Sequence, residues 1–97
     1  MAYDASKEKQ EEYGLITKNS RGEYFRITRV IPGDNRVDSI DIRLYYTDGE
    51  ENIRPTQKGV RVRSEIVPEL ALSILRAMNE DEITTLQGLL EEEGIQI

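Results

Sequence analysis

The sequence predicts an α+β chain: a four-stranded antiparallel sheet followed by a main α-helix and a short extra C-terminal helix. Apolar residues recur at every second position through the middle of the chain, and beyond Arg63 they recur at helical spacing. Clusters of turn residues between the alternating runs make consecutive strands neighbours, which gives a meander.

The first strand is expected in Tyr13 to Lys18, with Leu15 and Ile16 on opposite faces, and it ends at the turn Asn19-Ser20-Arg21-Gly22. The second runs from Tyr24 to Ile31, with Phe25, Ile27 and Arg29 on one face and Tyr24, Arg26 and Thr28 on the other. After a turn at Pro32-Gly33-Asp34-Asn35, the third runs from Ser39 to Tyr46, with Ile40, Ile42 and Leu44 inward and Asp41, Arg43 and Tyr45 outward. Asp48-Gly49 reads as a hairpin turn and Asp41 as a cross-strand partner for arginine. The last strand, Gly59 to Arg63, puts Val60 and Val62 in and Arg61 and Arg63 out.

In the main helix Leu70, Ile74, Ala77 and Met78 form a stripe with Leu72 and Leu75 beside it. Ser64 as an N-cap, or Pro68 in the first turn, places its start within residues 64–68, and it ends near Asn79. A second helix is expected from Asp81 to Glu93 on Ile83, Leu86, Leu89 and Leu90, weakened by Gly88 and stopped by Gly94. The apolar surplus of the main helix predicts a homodimer through the helices, unless the tail helix covers that surplus within one chain.

At 97 residues and 37% hydrophobic, the chain can build only a small core. It contains neither Cys nor His, which removes disulfides, thiol nucleophiles, Cys/His zinc sites and histidine-based triads. Asp38, Asp41, Asp48, Glu50 and Glu51 match no Mg²⁺ or Ca²⁺ spacing, and no glycine-rich phosphate loop occurs. The chain is therefore expected to be no enzyme and to carry neither metal nor cofactor. No apolar stretch approaches the roughly 20 residues that span a bilayer, and the first residues hold no signal-peptide core, so an intracellular location (cytoplasm, nucleoid or nucleus) away from membranes is expected.

The net charge of −6 conceals an uneven distribution. Residues 1–12 carry −2 and read as a flexible end. Residues 13–63 hold ten cations, seven anions and five of the six aromatics, a net of +3, while residues 64–97 carry −7. Three segments follow: a flexible 1–12, a domain at 13–79 and an acidic helix or tail at 80–97. Single-stranded nucleic acid is bound by cations that meet phosphates and by aromatic faces on which bases stack. Arg26, Arg43, Arg61 and Arg63 on outward strand positions, Lys18, Arg36, Arg54 and Lys58 at strand ends or loops, and Tyr24, Tyr45 and Tyr46 meet that need. Composition alone fits a merely solvated sheet face equally well.

The stretch Ile40-Asp41-Ile42-Arg43-Leu44-Tyr45-Tyr46-Thr47-Asp48-Gly49-Glu50, continued by Ile53-Arg54-Pro55-Thr56-Gln57-Lys58-Gly59-Val60, resembles the signature of the positive cofactor 4 (PC4) family. The similarity extends more loosely from Tyr13 to Met78. It implies a small homodimer of four strands and a helix that binds single-stranded DNA, or melted duplex, with little sequence preference, in transcription or in DNA replication, recombination or repair. Carried over by position, the DNA-contacting residues are Arg43, Tyr46 as the stacking aromatic, Arg54 before proline, Lys58 before glycine, and more loosely Lys18. Arg26, Arg36 and Arg61 complete the candidate set from their strand and loop positions. Arg43 and Tyr46 share a face only if the strand bends or ends near Tyr45. Where the family often places a second aromatic, this chain has Val30 and Ile31, and the next turn is longer, through Arg36; Tyr24 and Tyr45 are the available substitutes.

The acidic run Glu91-Glu92-Glu93 ends on an apolar tip, Ile95 and Ile97. Three readings stay open for it: a hook for replication or transcription proteins, a competitor of DNA for the arginines, or a frayed helix end. The alternative function is thus a protein-interaction adaptor acting through this tail, with the sheet arginines simply solvated.

Overall fold

A computed structural model describes residues 8–33 and 36–96 of the chain. Strands β1 (Lys9–Thr17), β2 (Glu23–Ile31), β3 (Ser39–Thr47) and β4 (Ile53–Arg63) precede helices α1 (Val67–Ala77) and α2 (Glu80–Glu93). The strands form one antiparallel sheet in the order β1-β2-β3-β4, the meander that the turn spacing predicts. The chain divides into a strand unit ending at Val67 and a helical unit starting at Pro68.

β2 and β3 pair without interruption from Glu23 opposite Tyr46 to Val30 opposite Ser39. Because side chains alternate along a strand, this register assigns every residue to a face. Tyr24, Arg26, Thr28 and Val30 share one face with Tyr45, Arg43, Asp41 and Ser39, and β4 adds Arg61 and Arg63. Phe25, Ile27 and Arg29 share the other with Leu44, Ile42 and Ile40, joined by Val60 and Val62. The alternation read from the sequence is therefore correct in phase.

Burial is distributed differently from that reading. The most enclosed described side chains, Thr28, Val30, Ser39 and Asp41, form two adjacent cross-strand pairs on the face that carries the arginines. On the apolar face Phe25 and Val60 remain 39% and 51% exposed. Periodicity records which residues lie together, but not which side is covered, and a lone chain of this size has little with which to cover both.

The edges are irregular. β1 begins at Lys9, so residues 9–12 of the expected flexible end are strand, while residues 1–7 lie outside the described part. Lys9, Gln10, Glu11 and Glu12 lack the alternating signal and are held by the β2 ladder instead. Tyr13 is the extra residue of a bulge between Glu12 and Gly14. On the opposite edge, β4 starts at Ile53, before Pro55, six residues earlier than the Gly59 expected. Arg43 faces Gly59 and Tyr45 faces Pro55, so β4 carries two more residues than β3 between these pairs. Proline is tolerated there because β4 is an edge strand.

Turns and caps follow their residue types. Asp48 Oδ1 accepts from the backbone N–H groups of Glu50 and Asn52, both at 2.9 Å, which closes the β3–β4 hairpin. The expected turn at residues 32–35 includes Asp34 and Asn35, which lie outside the described residues. In α1, Pro68 occupies the first turn as expected. α2 begins one residue before the expected Asp81: Asn79 accepts from Glu82 N, and Glu82 accepts from Asn79 N, a capping box. Gly94 ends it in a left-handed conformation at φ 68°. No residue of either helix is buried.

Gly59 permits the close crossing of β4 over β3, since a Cβ there would lie 2.7 Å from the Ile42 carbonyl oxygen and 3.0 Å from Arg43 Cα. Gly59→Ala is therefore expected to destabilise the fold by about 1–3 kcal/mol through overpacking, measured by urea melts. Gly49→Ala, where an added Cβ meets nothing within 4 Å, should change stability by less than about 0.5 kcal/mol in the same urea melts.

Candidate nucleic-acid interface

The candidate residues separate into three groups. Arg26, Arg43 and Arg61 lie on the face with the enclosed residues. Tyr46 and Arg54 are cross-strand partners on the opposite face, at the sheet end where β1 leaves and β2 enters. Lys58, one residue before Gly59, has the parity of Val60 on that same face. Lys18 follows β1 at this end. Arg36 stands at the far end, bordering with Val37, Ser39, Arg61 and Arg63 a pocket of about 460 Å³. Arg43 and Tyr46 are not brought together: β3 neither bends nor ends at Tyr45, and the irregularity falls in β4 instead.

On the first face the arginines are engaged by carboxylates. Arg43 donates Nε and Nη2 to the two oxygens of Asp41 at 3.0 and 2.9 Å, and its Nη1 reaches the Thr56 carbonyl at 3.1 Å, within the extra residues of β4. Arg61 lies across the strand pair, 3.5 Å from Asp41 and 4.0 Å from Glu8. Asp41 thus has the cross-strand arginine expected of it and a second on its own strand. Burial pushes the Asp41 carboxyl up, but the hydrogen bonds and charges of Arg43 and Arg61 outweigh this and hold it below the usual range.

Arg26 Nε lies 2.8 Å from Glu12 Oε1 without an aligned hydrogen bond, so this contact is an ion pair. Its Nη1 donates to the Tyr45 hydroxyl at 2.8 Å, and its guanidinium carbon lies 5.2 Å from the Tyr45 ring centre. Burial opposes the Arg26 charge, yet Tyr45 and Glu12 prevail and raise its pKa. Arg26, Arg43 and Arg61 therefore face Glu12, Asp41 and Glu8, and Arg63 on the same face is paired with Glu65 at 2.8 Å, so these side chains balance in charge.

The Tyr46 end differs. Tyr46 is 44% exposed, between Glu23 on β2 and Arg54 on β4. Arg54 is paired with Asp48 at 2.9 Å, a solvent-screened ion pair that contributes little to stability. Asp48 is held below the ordinary carboxylate range by Arg54, then by the hairpin N–H groups. Lys18 and Arg21 stand near Glu23, and Lys58 also acts on it. Four cations, Lys18, Arg21, Arg54 and Lys58, meet four carboxylates here, Glu23 and Asp48 together with Glu50 and Glu51 of the same hairpin; this end differs from the first face in that its cations are exposed and the contacts with Glu23 are long.

Two residues here were missed from the sequence. Arg21 was read only as part of a turn, whose compactness was the available signal. Phe25 was placed on one face with Ile27 and left out of the candidate set, yet it lies partly exposed on the same face as Tyr46, one cross-strand pair further along. Tyr24 and Tyr45, the expected substitutes for a second aromatic, share the opposite face with Arg26. Among the described residues no group of three or more Asp or Glu side chains is placed to hold a metal ion, and no helix is long and apolar enough to cross a membrane.

This arrangement, a four-stranded meander with helices after the last strand, is shared with a solved protein. The crystal structure of a PC4 homolog from Burkholderia pseudomallei superposes with a TM-score of 0.63 at 24% identity, covering 82% of this chain and 99% of that one. The chain therefore has a PC4-like α+β fold. No protein-family model and no curated protein matches it.

The double pairing at Asp41 generates a stability prediction. Asp41→Asn leaves Arg43 and Arg61 without their shared carboxylate and should destabilise the fold by about 1–3 kcal/mol at neutral pH. The folded carboxyl titrates below its ordinary value of 3.8, so its contribution is complete above about pH 4 and is lost as the pH falls through the folded value. Urea melts of wild type and variant should converge as the pH is lowered from about 4 to 2.

Proposed function

We propose that this chain is a single-stranded DNA-binding protein with little sequence preference, non-enzymatic, acting as a homodimer in transcription or in DNA replication, recombination or repair. The observation that carries this reading is the Tyr46 end of the sheet. There an exposed ring stands among Arg54, Lys58 and Lys18, whose charges are open to solvent and not locked to enclosed carboxylates, on the stretch that resembles the PC4 signature. Stacked bases and phosphates need that combination of an open ring and cations that can be redirected. Tyr46 stacks a base, with Phe25 as the second platform. Lys18, Arg54 and Lys58 meet phosphates. Arg26, Arg43 and Arg61 contribute less, because phosphate must first displace carboxylates from them.

The homodimer is supported by what one chain leaves uncovered. Among the described residues Val30 is the only buried hydrophobic side chain, while Leu72 and Ile74 on α1 and Val60 on the sheet are each about half exposed. A second copy through the helices removes that apolar surface from water. The competing adaptor reading has its own support: Met78, just before α2, lines with Leu86 and Leu89 of α2 an apolar groove rimmed by Asp81 and Glu82.

A fluorescence-anisotropy titration with labelled oligo-dT at two salt concentrations separates the two functions. The proposal requires binding that weakens steeply with salt and favours single strands over duplex. Tyr46→Ala should cost about 1–3 kcal/mol, and Lys58→Ala should reduce the salt slope by about 0.7–1. Absence of oligo-dT binding at low salt leaves the adaptor reading standing, and sedimentation that gives a single chain overturns the dimer.

A further inference from the structure

The turn between β1 and β2 converges on one carboxylate. Glu23 opens β2 directly opposite Tyr46. Asn19 Nδ2 donates to its Oε1 at 2.7 Å, Arg21 Nη2 lies 3.7 Å from the same oxygen, and Lys18 Nζ lies 3.9 Å from Oε2. The turn is fixed independently of these contacts: Lys18 N donates to the Glu23 carbonyl at 2.9 Å, and Arg21 N to Asn19 Oδ1 at 3.0 Å. Thr47 Oγ1 on β3 donates to the Gly22 carbonyl at 2.8 Å. Gly22 is required at this junction, since its φ is 82° and a Cβ would lie 2.8 Å from Thr47 Oγ1.

A side-chain amide, a guanidinium and an ammonium aimed at one anionic group make up the donor set that a phosphodiester takes. The two ion-pair distances exceed the 2.7–2.9 Å or so of a direct charge-assisted bond, so the cations are attracted to Glu23 without being locked to it. The Arg21 side chain is 79% exposed and can turn to another anion. The carboxylate is ionised at neutral pH: the Asn19 hydrogen bond, followed by Lys18, Arg21 and Lys58, holds it below the usual range despite some desolvation.

We propose that Glu23 is a built-in competitor for nucleic-acid phosphate. Its carboxylate holds Asn19, Arg21 and Lys18 in the arrangement an incoming phosphodiester takes over, and Asn19 and Arg21 belong to the DNA interface beside Tyr46. This rests on the single-stranded DNA reading of the Tyr46 end. A phosphate arriving there meets a like charge and must displace it, so the carboxylate sets the affinity below what the cations alone would give.

The test is the effect of Glu23→Gln on oligo-dT affinity, measured by anisotropy at low and high salt alongside thermal melts. Glutamine keeps the size of the side chain and an acceptor for Asn19 while removing the charge. Affinity should rise roughly three- to tenfold at low salt, with the gain fading at high salt. Glu65→Gln removes the same charge beside Arg63, beyond the other end of β4, and should change affinity by less than about twofold. Arg21→Ala should weaken binding, and in that background the gain from Glu23→Gln should shrink. Unchanged or weaker binding by Glu23→Gln with an unaltered melt overturns the proposal, as does an equal gain from Glu65→Gln. A wild type that fails to bind oligo-dT removes this proposal and the underlying function together. A wild type that binds, and is weakened by Tyr46→Ala but indifferent to Glu23→Gln, removes this one alone.

Discussion

The uninterrupted pairing of β2 with β3 is the constraint on which the rest of the sheet depends. Eight consecutive cross-strand pairs run from Glu23–Tyr46 to Val30–Ser39, and strict alternation then leaves no freedom in what each face carries. Arg26, Asp41 and Arg43 fall on one side, while Glu23, Phe25 and Tyr46 fall on the other. The departures from regularity, the Tyr13 bulge in β1 and the extra residues of β4 before Gly59, are pushed to the two edge strands. There they reshape the rim without disturbing the central register.

From that partition follow two surfaces of different electrostatic character, although both are rich in arginine. On one, Asp41 gathers Arg43 and Arg61, and Glu12 meets Arg26, so that the cations serve the fold. On the other, the cations at the Tyr46 end are exposed, and the contacts of Lys18 and Arg21 with Glu23 are long. The same residue type therefore does different work on the two sides. A guanidinium held bidentate by a nearly buried carboxylate is costly to redirect, whereas the exposed guanidinium of Arg21, at 3.7 Å from Glu23, is cheap to redirect.

Much of the fold was legible because the middle strands alternate cleanly and the turns carry Asn, Asp and Gly, with Gly22 left-handed and Asp48 capping its hairpin, although the left-handed position of that hairpin falls on Glu51. β1 was legible only from Tyr13, since Lys9 to Glu12 are polar on both sides and are recruited by the β2 edge. Asn79 and Glu82 do carry a capping signature, and it places the start of α2 one residue before the periodic pattern does. The site was legible in its residue types and less so in its geometry. A charge count over residues 13–63 sums across both faces, so it reports an excess of cations without showing that Asp41 and Glu12 consume it on one side. Phe25 was hidden for a related reason: an aromatic on the apolar phase of a strand reads as core, and only the burial of the folded chain separates a covered position from an open one.

Single-stranded DNA bound as proposed lies on the Tyr46 end rather than on the ion-paired arginine face. Backbone amide shifts of isotope-labelled protein titrated with oligo-dT test this most directly. The account predicts perturbations concentrated at Lys18 to Phe25, Tyr46 to Asn52 and Arg54 to Lys58. Perturbations centred on Arg26, Asp41, Arg43 and Arg61, with the Tyr46 end unmoved, would contradict it.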